Sequence, residues 1–139
     1  MARRDIYHNT VKQSLQKDGW TITHDPLPLK VGYKRLEVDL GAERLISAEK
    51  GLRKIAVEVK SFIGRSNVTD LERALGQYVL YDQIMMEQGI RRELYLAVNW
   101  HTYETVFQIP LGEILLRNEV VNLLVFDDEE EVVVQWIPE

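Results

Sequence analysis

The chain has 139 residues, of which 45% are hydrophobic and 28% charged, and its formal net charge is -5. That length suits one domain, and that balance excludes a disordered chain. Net acidity counts against tight autonomous binding to nucleic acid, but not against a local basic patch. Without cysteine there can be no disulfide and no thiolate metal site. No run is apolar enough to span a membrane. The start, MARRDIYHNTVKQ, has no apolar signal-peptide core, so a cytoplasmic location is expected.

Asp5 reads as a helix N-cap. Tyr7, Val11 and Leu15 then recur every four residues up to Gly19, which predicts a helix over residues 6–18. WTITH follows as a short alternating strand, and DPLPL is expected to break it. YKRLEVDL (33–40) is expected to be extended. AERLISAEK and RKIAVEVKS flank Gly51 and predict a hairpin. Thr69 and Glu72 form a capping box at the head of a helix expected over 69–88, with Leu71, Leu75, Tyr78 and Val79 as its apolar stripe. ELYLAVNW (93–100) is a central strand with a right-handed crossover before it. TYETVFQIP is ambiguous, LGEILLRNE suits a short helix, and VVNLLVF with VVVQWI predicts a C-terminal hairpin turned by the acidic run DDEEE. The fold class is therefore α/β (α+β): a mixed sheet flanked by helices, in one domain over residues 1–139.

The chemistry sits in KIAVEVKSF (54–62). Residues two apart in a strand share a face, so Glu58 and Lys60 project together while Ile55, Val57 and Val59 face the core. Glu58 and Lys60 are expected in a shallow cleft, outside the core. Asp39 lies 19 residues before Glu58 on the preceding extended segment, and a hairpin can bring the two together. Two carboxylates suit Mg²⁺ or Mn²⁺, which prefer hard oxygen ligands. The Val59 carbonyl is a candidate to complete the ligand set. Lys60 could orient an attacking water or stabilise charge on a phosphate. Glu43 and Glu49 are alternative acids on the hairpin, and Asp5 a candidate third acid. An E-x-K triplet alone usually marks a solvated face or a salt bridge. Its apolar strand, the earlier acid and Gln77 with Tyr81 on one face of the following helix raise its weight. His8, His24 and His101 lack ligand spacing and are expected at the surface or as caps. Trp20, Trp100 and Trp136 are expected in the core or at an interface. Arg53, Lys54, Arg65, Lys34 and Arg35 could flank a nucleic-acid path, although scattered surface charge is the commoner case.

This pattern resembles the PD-(D/E)xK nucleases, of restriction-endonuclease-like fold, with an α-β-β-β-α-β core. The resemblance implies Asp39 and Glu58 as metal ligands, with the Val59 carbonyl, and Lys60 as the catalytic lysine. Gln77 and Tyr81 match a QxxxY arrangement that supports the site in some branches. No proline precedes Asp39, a mild departure from the motif. Across nearly the whole chain, KDGWTITHDPL, DLGAERLISAEKG, KIAVEVKSF, ALGQY and LLVFD with EVVVQWI resemble the XisH family of excision controlling factors. That family is known mainly from cyanobacteria. It is named for the excision of the fdxN element, a DNA insertion removed by a site-specific recombinase during heterocyst development. The resemblance implies DNA, an XisI-type companion protein and, indirectly, the recombinase as partners. A homodimer is a further expectation. The alternative function is a non-catalytic interaction protein that binds the companion or the recombinase.

Overall fold

The computed structural model describes residues 4–139. Helix α1 (His8–Lys17) leads into β1 (Thr21–His24), then β2 (Leu27–Val31), β3 (Lys34–Val38), β4 (Leu40–Ser47) and β5 (Gly51–Val59). Helix α2 (Asn67–Glu87) crosses to β6 (Glu93–Asn99). A short turn α3 (Trp100–Thr102), a π-helical turn (Tyr103–Phe107) and α4 (Pro110–Arg117) precede the hairpin of β7 (Leu123–Asp127) and β8 (Val132–Ile137).

Six strands form one sheet in the order β1-β4-β5-β6-β7-β8, and β2 with β3 form a separate two-stranded ribbon. β6 is parallel to both β5 and β7, and the other neighbours are antiparallel. Read along the main sheet, the chain runs α1-β1-β4-β5-α2-β6, the core order expected of a restriction-endonuclease-like fold, with the ribbon inserted after β1.

The alternation of β5 distributes its side chains over two cores. Ile55, Val57 and Val59 pack with Val11 and Leu15 of α1 and with Trp20. Ala56 faces the other way, into the core beneath α2, with Leu71, Ala74, Tyr78 and Met85. At about 25 cal/mol per Å² of apolar surface, these two layers supply most of the driving force for folding. In α4, Gly112 lies against the backbone of Val106 and Phe107, where any Cβ would collide.

Two local expectations are corrected and one is extended. DPLPL does end β1, which stops at His24, but its Leu27–Leu29 part re-enters a strand as the start of β2, with Pro28 opposite Glu37. Both strands of a two-stranded ribbon are edge strands, so a residue without an N–H is tolerated there. The N-cap of α2 is Ser66, whose Oγ accepts the Thr69 N–H at 3.2 Å, three residues ahead of the expected cap at Thr69. The neighbouring acid, Asp70, is buried and accepts the Gly64 N–H at 2.8 Å, tying the loop to the helix. Asp5 does not cap α1: its Oδ1 takes the Tyr7 N–H at 2.9 Å in an Asx turn before the helix starts.

Val79 is exposed, and the stripe of α2 runs instead through Leu71, Ala74, Tyr78, Tyr81 and Met85. Trp20 is core and stacks at 5.5 Å on half-buried Trp136, whereas Trp100 is exposed. Arg53 is held by the Tyr95 hydroxyl at 2.6 Å and by Glu93 at 3.1 Å, which explains it as a structural cation. No helix among the described residues is long and apolar enough to cross a membrane.

Candidate active site

The pairing of β4 with β5 ends at Leu40 opposite Val57. The next opposed pair in that register is Asp39 and Glu58, on the same face, where directly opposed Cβ atoms lie about 5 Å apart. There the backbone ladder gives way to side chains. The Asp39 N–H donates to Glu58 Oε1 at 3.2 Å, and the Val59 N–H donates to Asp39 Oδ2 at 2.7 Å. On the far side of β5, the Lys60 N–H donates to the Ala97 carbonyl at 3.1 Å. Because backbone groups alternate along a strand, Val59 turns its carbonyl to the Asp39 edge.

These groups open on a cleft of about 460 Å³ lined by Asp39, Glu58, Val59, Lys60, Gln77 and Tyr81, and also by Asp5, His8 and Asp25. All six residues singled out on β5, α2 and the segment before β4 are thus brought together. The alternatives are not. Glu43 stands opposite Lys54 along the hairpin, and Glu49 lies in its exposed far turn. Glu58 is also more deeply placed than a shallow cleft suggests, with only 7% of its surface exposed.

Depth and proximity set the electrostatics. Burial, then the negative charge of Asp39, push the Glu58 carboxyl up to about 9. Burial likewise raises Asp39, although the Val59 N–H and the hydrogen bond with Glu58 oppose the rise. Tyr81 is pushed up to about 12, by burial first and then by Glu58 and Asp39. Two acids face each other here with no cation bonded to either among the described residues.

Two further acids of the cleft are held by partners in its wall. Asp5 Oδ2 accepts both the N–H and the hydroxyl of Ser61 at 2.8 Å, so it anchors the exit of β5. Asp25 binds His8 Nε2 at 2.6 Å, Lys12 at 2.9 Å and Arg4 at 3.4 Å. His8 is therefore neither a surface residue nor a cap: it is buried in the cleft wall, and its Nδ1 has no partner among the described residues. Its spacing of 17 residues from Asp25 gave no sequence signal. His24 is half-buried beside Thr23 and Arg92, and His101 is exposed.

Among the described residues, no group of three or more His, Cys, Asp or Glu converges as a metal cage. A cation such as Mg²⁺ retains several waters and needs only one or two carboxylates, so Asp39, Glu58 and the Val59 carbonyl fit its demands. The absence of a cationic partner for either acid among the described residues leaves their oxygens open to such an ion.

The family model for XisH protein matches residues 1–134. The chain belongs to the XisH family. It is similar to the crystal structure of an XisH family protein from Nostoc punctiforme, with 42% identity, a TM-score of 0.84, and coverage of 96% of this chain and 99% of that one. It is equally similar to a fdxN element excision controlling factor protein from Anabaena variabilis, with 45% identity, a TM-score of 0.83 and the same coverage. No curated protein matches the chain.

Proposed function

We propose that this XisH chain is a DNA-associated accessory factor in the excision of a DNA element, with a divalent-metal phosphodiesterase site in the cleft. The similar protein from Anabaena variabilis is a fdxN element excision controlling factor. The observation that carries the site is the convergence of Asp39, Glu58 and Lys60 on one cleft, in register at the end of β5.

Asp39, Glu58 and the Val59 carbonyl would hold Mg²⁺ or Mn²⁺. When bound, the metal supplies Lewis-acid activation of a phosphate and a nucleophilic water at neutral pH. Lys60 lines the same cleft as the acids and would offer a cation to charge developing on the phosphate oxygens. Asp39 is fixed by the Val59 N–H, so its carboxylate is preorganised. Gln77 and Tyr81 of α2 line the same cleft and would support the site from that helix.

The test is cleavage of single-stranded, duplex and branched DNA with Mg²⁺ or Mn²⁺. Lys60→Ala is expected to lower the rate by about 100-fold or more, the usual loss for one electrostatic or acid–base contact. No cleavage of any form, together with no metal binding by calorimetry, would remove the enzyme.

A second reading is a non-catalytic interaction protein that binds an XisI-type companion or the recombinase. It is favoured by β8, an edge strand with exposed Val132 and Val134, and by exposed Ile109, Leu111 and Ile114 at α4. Excision in cells that persists with Glu58→Ala and Lys60→Ala, alongside co-purification of the companion, decides for it.

A further inference from the structure

The ribbon of β2 and β3 stands apart from the main sheet. Its inner face carries Leu27, Leu29, Leu36 and Val38 against α2. Its outer face carries the opposed pairs Pro28 with Glu37 and Lys30 with Arg35. Glu37 and Pro26 line the cleft, so this outer face is continuous with it. Two residues further along comes Lys30 with Arg35, and then the tip.

The tip is a two-residue turn between Val31 and Lys34, made of Gly32 and Tyr33. Gly32 has φ +57, while Tyr33 is not among the positive-φ residues, the pattern of a type II′ hairpin turn. That geometry leaves the Tyr33 side chain fully exposed. A lone exposed aromatic is ordinary. This one adjoins Lys34 in the chain, with the Lys30–Arg35 pair next behind it on the outer face, all exposed, none in an ion pair among the described residues. Lys30 and Arg35 are like charges placed directly opposite each other, an arrangement that costs stability unless an anion neutralises it. In a chain of net charge -5, three cations and a bare ring at the end of one arm are a local reversal of sign.

We propose that the β2–β3 ribbon is a nucleic-acid arm that carries an unpaired strand away from the cleft, with Tyr33 stacking on a base and Lys30, Lys34 and Arg35 taking its phosphates. The proposal rests on the nucleic-acid reading of the cleft. Basic side chains interleaved with an aromatic platform are the general solution for single strands. An exposed ring needs a free base face, and a base pair inside a duplex has none to offer. About 3.3 Å per residue places Tyr33 roughly 13 Å from Glu37, so the arm guides the strand beyond the cleft without entering the chemistry.

The experiment is fluorescence anisotropy of the full chain with a fluorescein-labelled oligothymidine of about 16 nucleotides and with a blunt duplex of equal length, in Ca²⁺. Tyr33→Ala is expected to weaken the single strand about 10-fold and leave the duplex unchanged, whereas Tyr33→Trp retains binding. Lys30→Glu, Lys34→Glu and Arg35→Glu together are expected to lower the salt slope by roughly 2, at about 0.7 per lost phosphate contact. All four positions are exposed, so thermal melting serves as the check on folding. Wild type that binds while these variants bind equally overturns the arm and leaves the cleft standing. Weakened variants together with undiminished cleavage by Lys60→Ala overturn the cleft and keep the arm. Equal loss on the duplex, or no binding of either nucleic acid by wild type, overturns the arm.

Discussion

Asp25 and the Asp39–Glu58 pair line one cleft, and their surroundings are opposite. Asp25 is pulled up by burial, but hydrogen bonds from Lys12 and His8 outweigh it and hold the carboxyl below its ordinary range. Glu58 has no cationic partner, and both burial and Asp39 drive it the other way. The first is a satisfied joint between α1 and the loop before β2. The second is a pair of acids in which Glu58 keeps its proton, a place that a cation would take. Environment, more than residue type, separates scaffold from candidate chemistry here.

The sharpest way to break that comparison is Glu58→Ala. It is expected to lower Mg²⁺-dependent cleavage by about 100-fold or more and to abolish the calorimetric Mn²⁺ signal. Asp25→Asn is expected to leave metal binding unchanged. If both variants bind metal equally, the two acids do not differ as described.

The next effect is on stability against pH. Glu58 holds its proton in the folded state up to about 9, against 4.5 as the ordinary value. The folded protein therefore binds the extra proton between those values. Its stabilising share is fully present below the lower one and lost as pH rises to the upper. In EDTA, melting should fall across that range, with a limiting slope of about 1.4 kcal/mol per pH unit. Glu58→Gln should flatten the curve, and added Mn²⁺ should lift its alkaline end.

Asp25→Asn removes the negative charge and one of the two acceptor oxygens that join His8, Lys12 and Arg4, and a loss of about 2 kcal/mol in urea unfolding is expected. The smallest effect is Ser61→Ala. It removes one of the two bonds to Asp5 Oδ2, at a cost of about 1 kcal/mol by the same measurement, with metal affinity retained.

What could be read from the sequence follows from range. The β5 pattern was legible because alternation is a local property, and Asp39 with Glu58 because a hairpin register fixes opposed residues once its turn is known. Gln77 and Tyr81 were legible through helical spacing. The Asp25–His8 contact was not, because it joins α1 to a loop with no periodicity between them. β2 was not legible because Pro28 reads as part of the break that Asp25–Pro26 makes after β1, and nothing local tells an edge strand from a loop. The α2 cap was displaced because Ser66 and Thr69 both offer hydroxyls at usable positions. Asp5 was visible as an acid but not as an anchor, since its partner Ser61 is 56 residues away.

The two hydrogen bonds that replace the ladder beyond Leu40 carry one more consequence. Asp39 and Glu58 act as rungs for the backbone as well as bearers of charge, and an amide oxygen can accept either bond as a carboxylate does. The double variant Asp39→Asn with Glu58→Gln should thus keep the strands in step while emptying the cleft of its paired charge. Architecture and electrostatics are separable at this one crossing, so a silent replica of the protein can be made that keeps the fold and loses only the acidity of the pair.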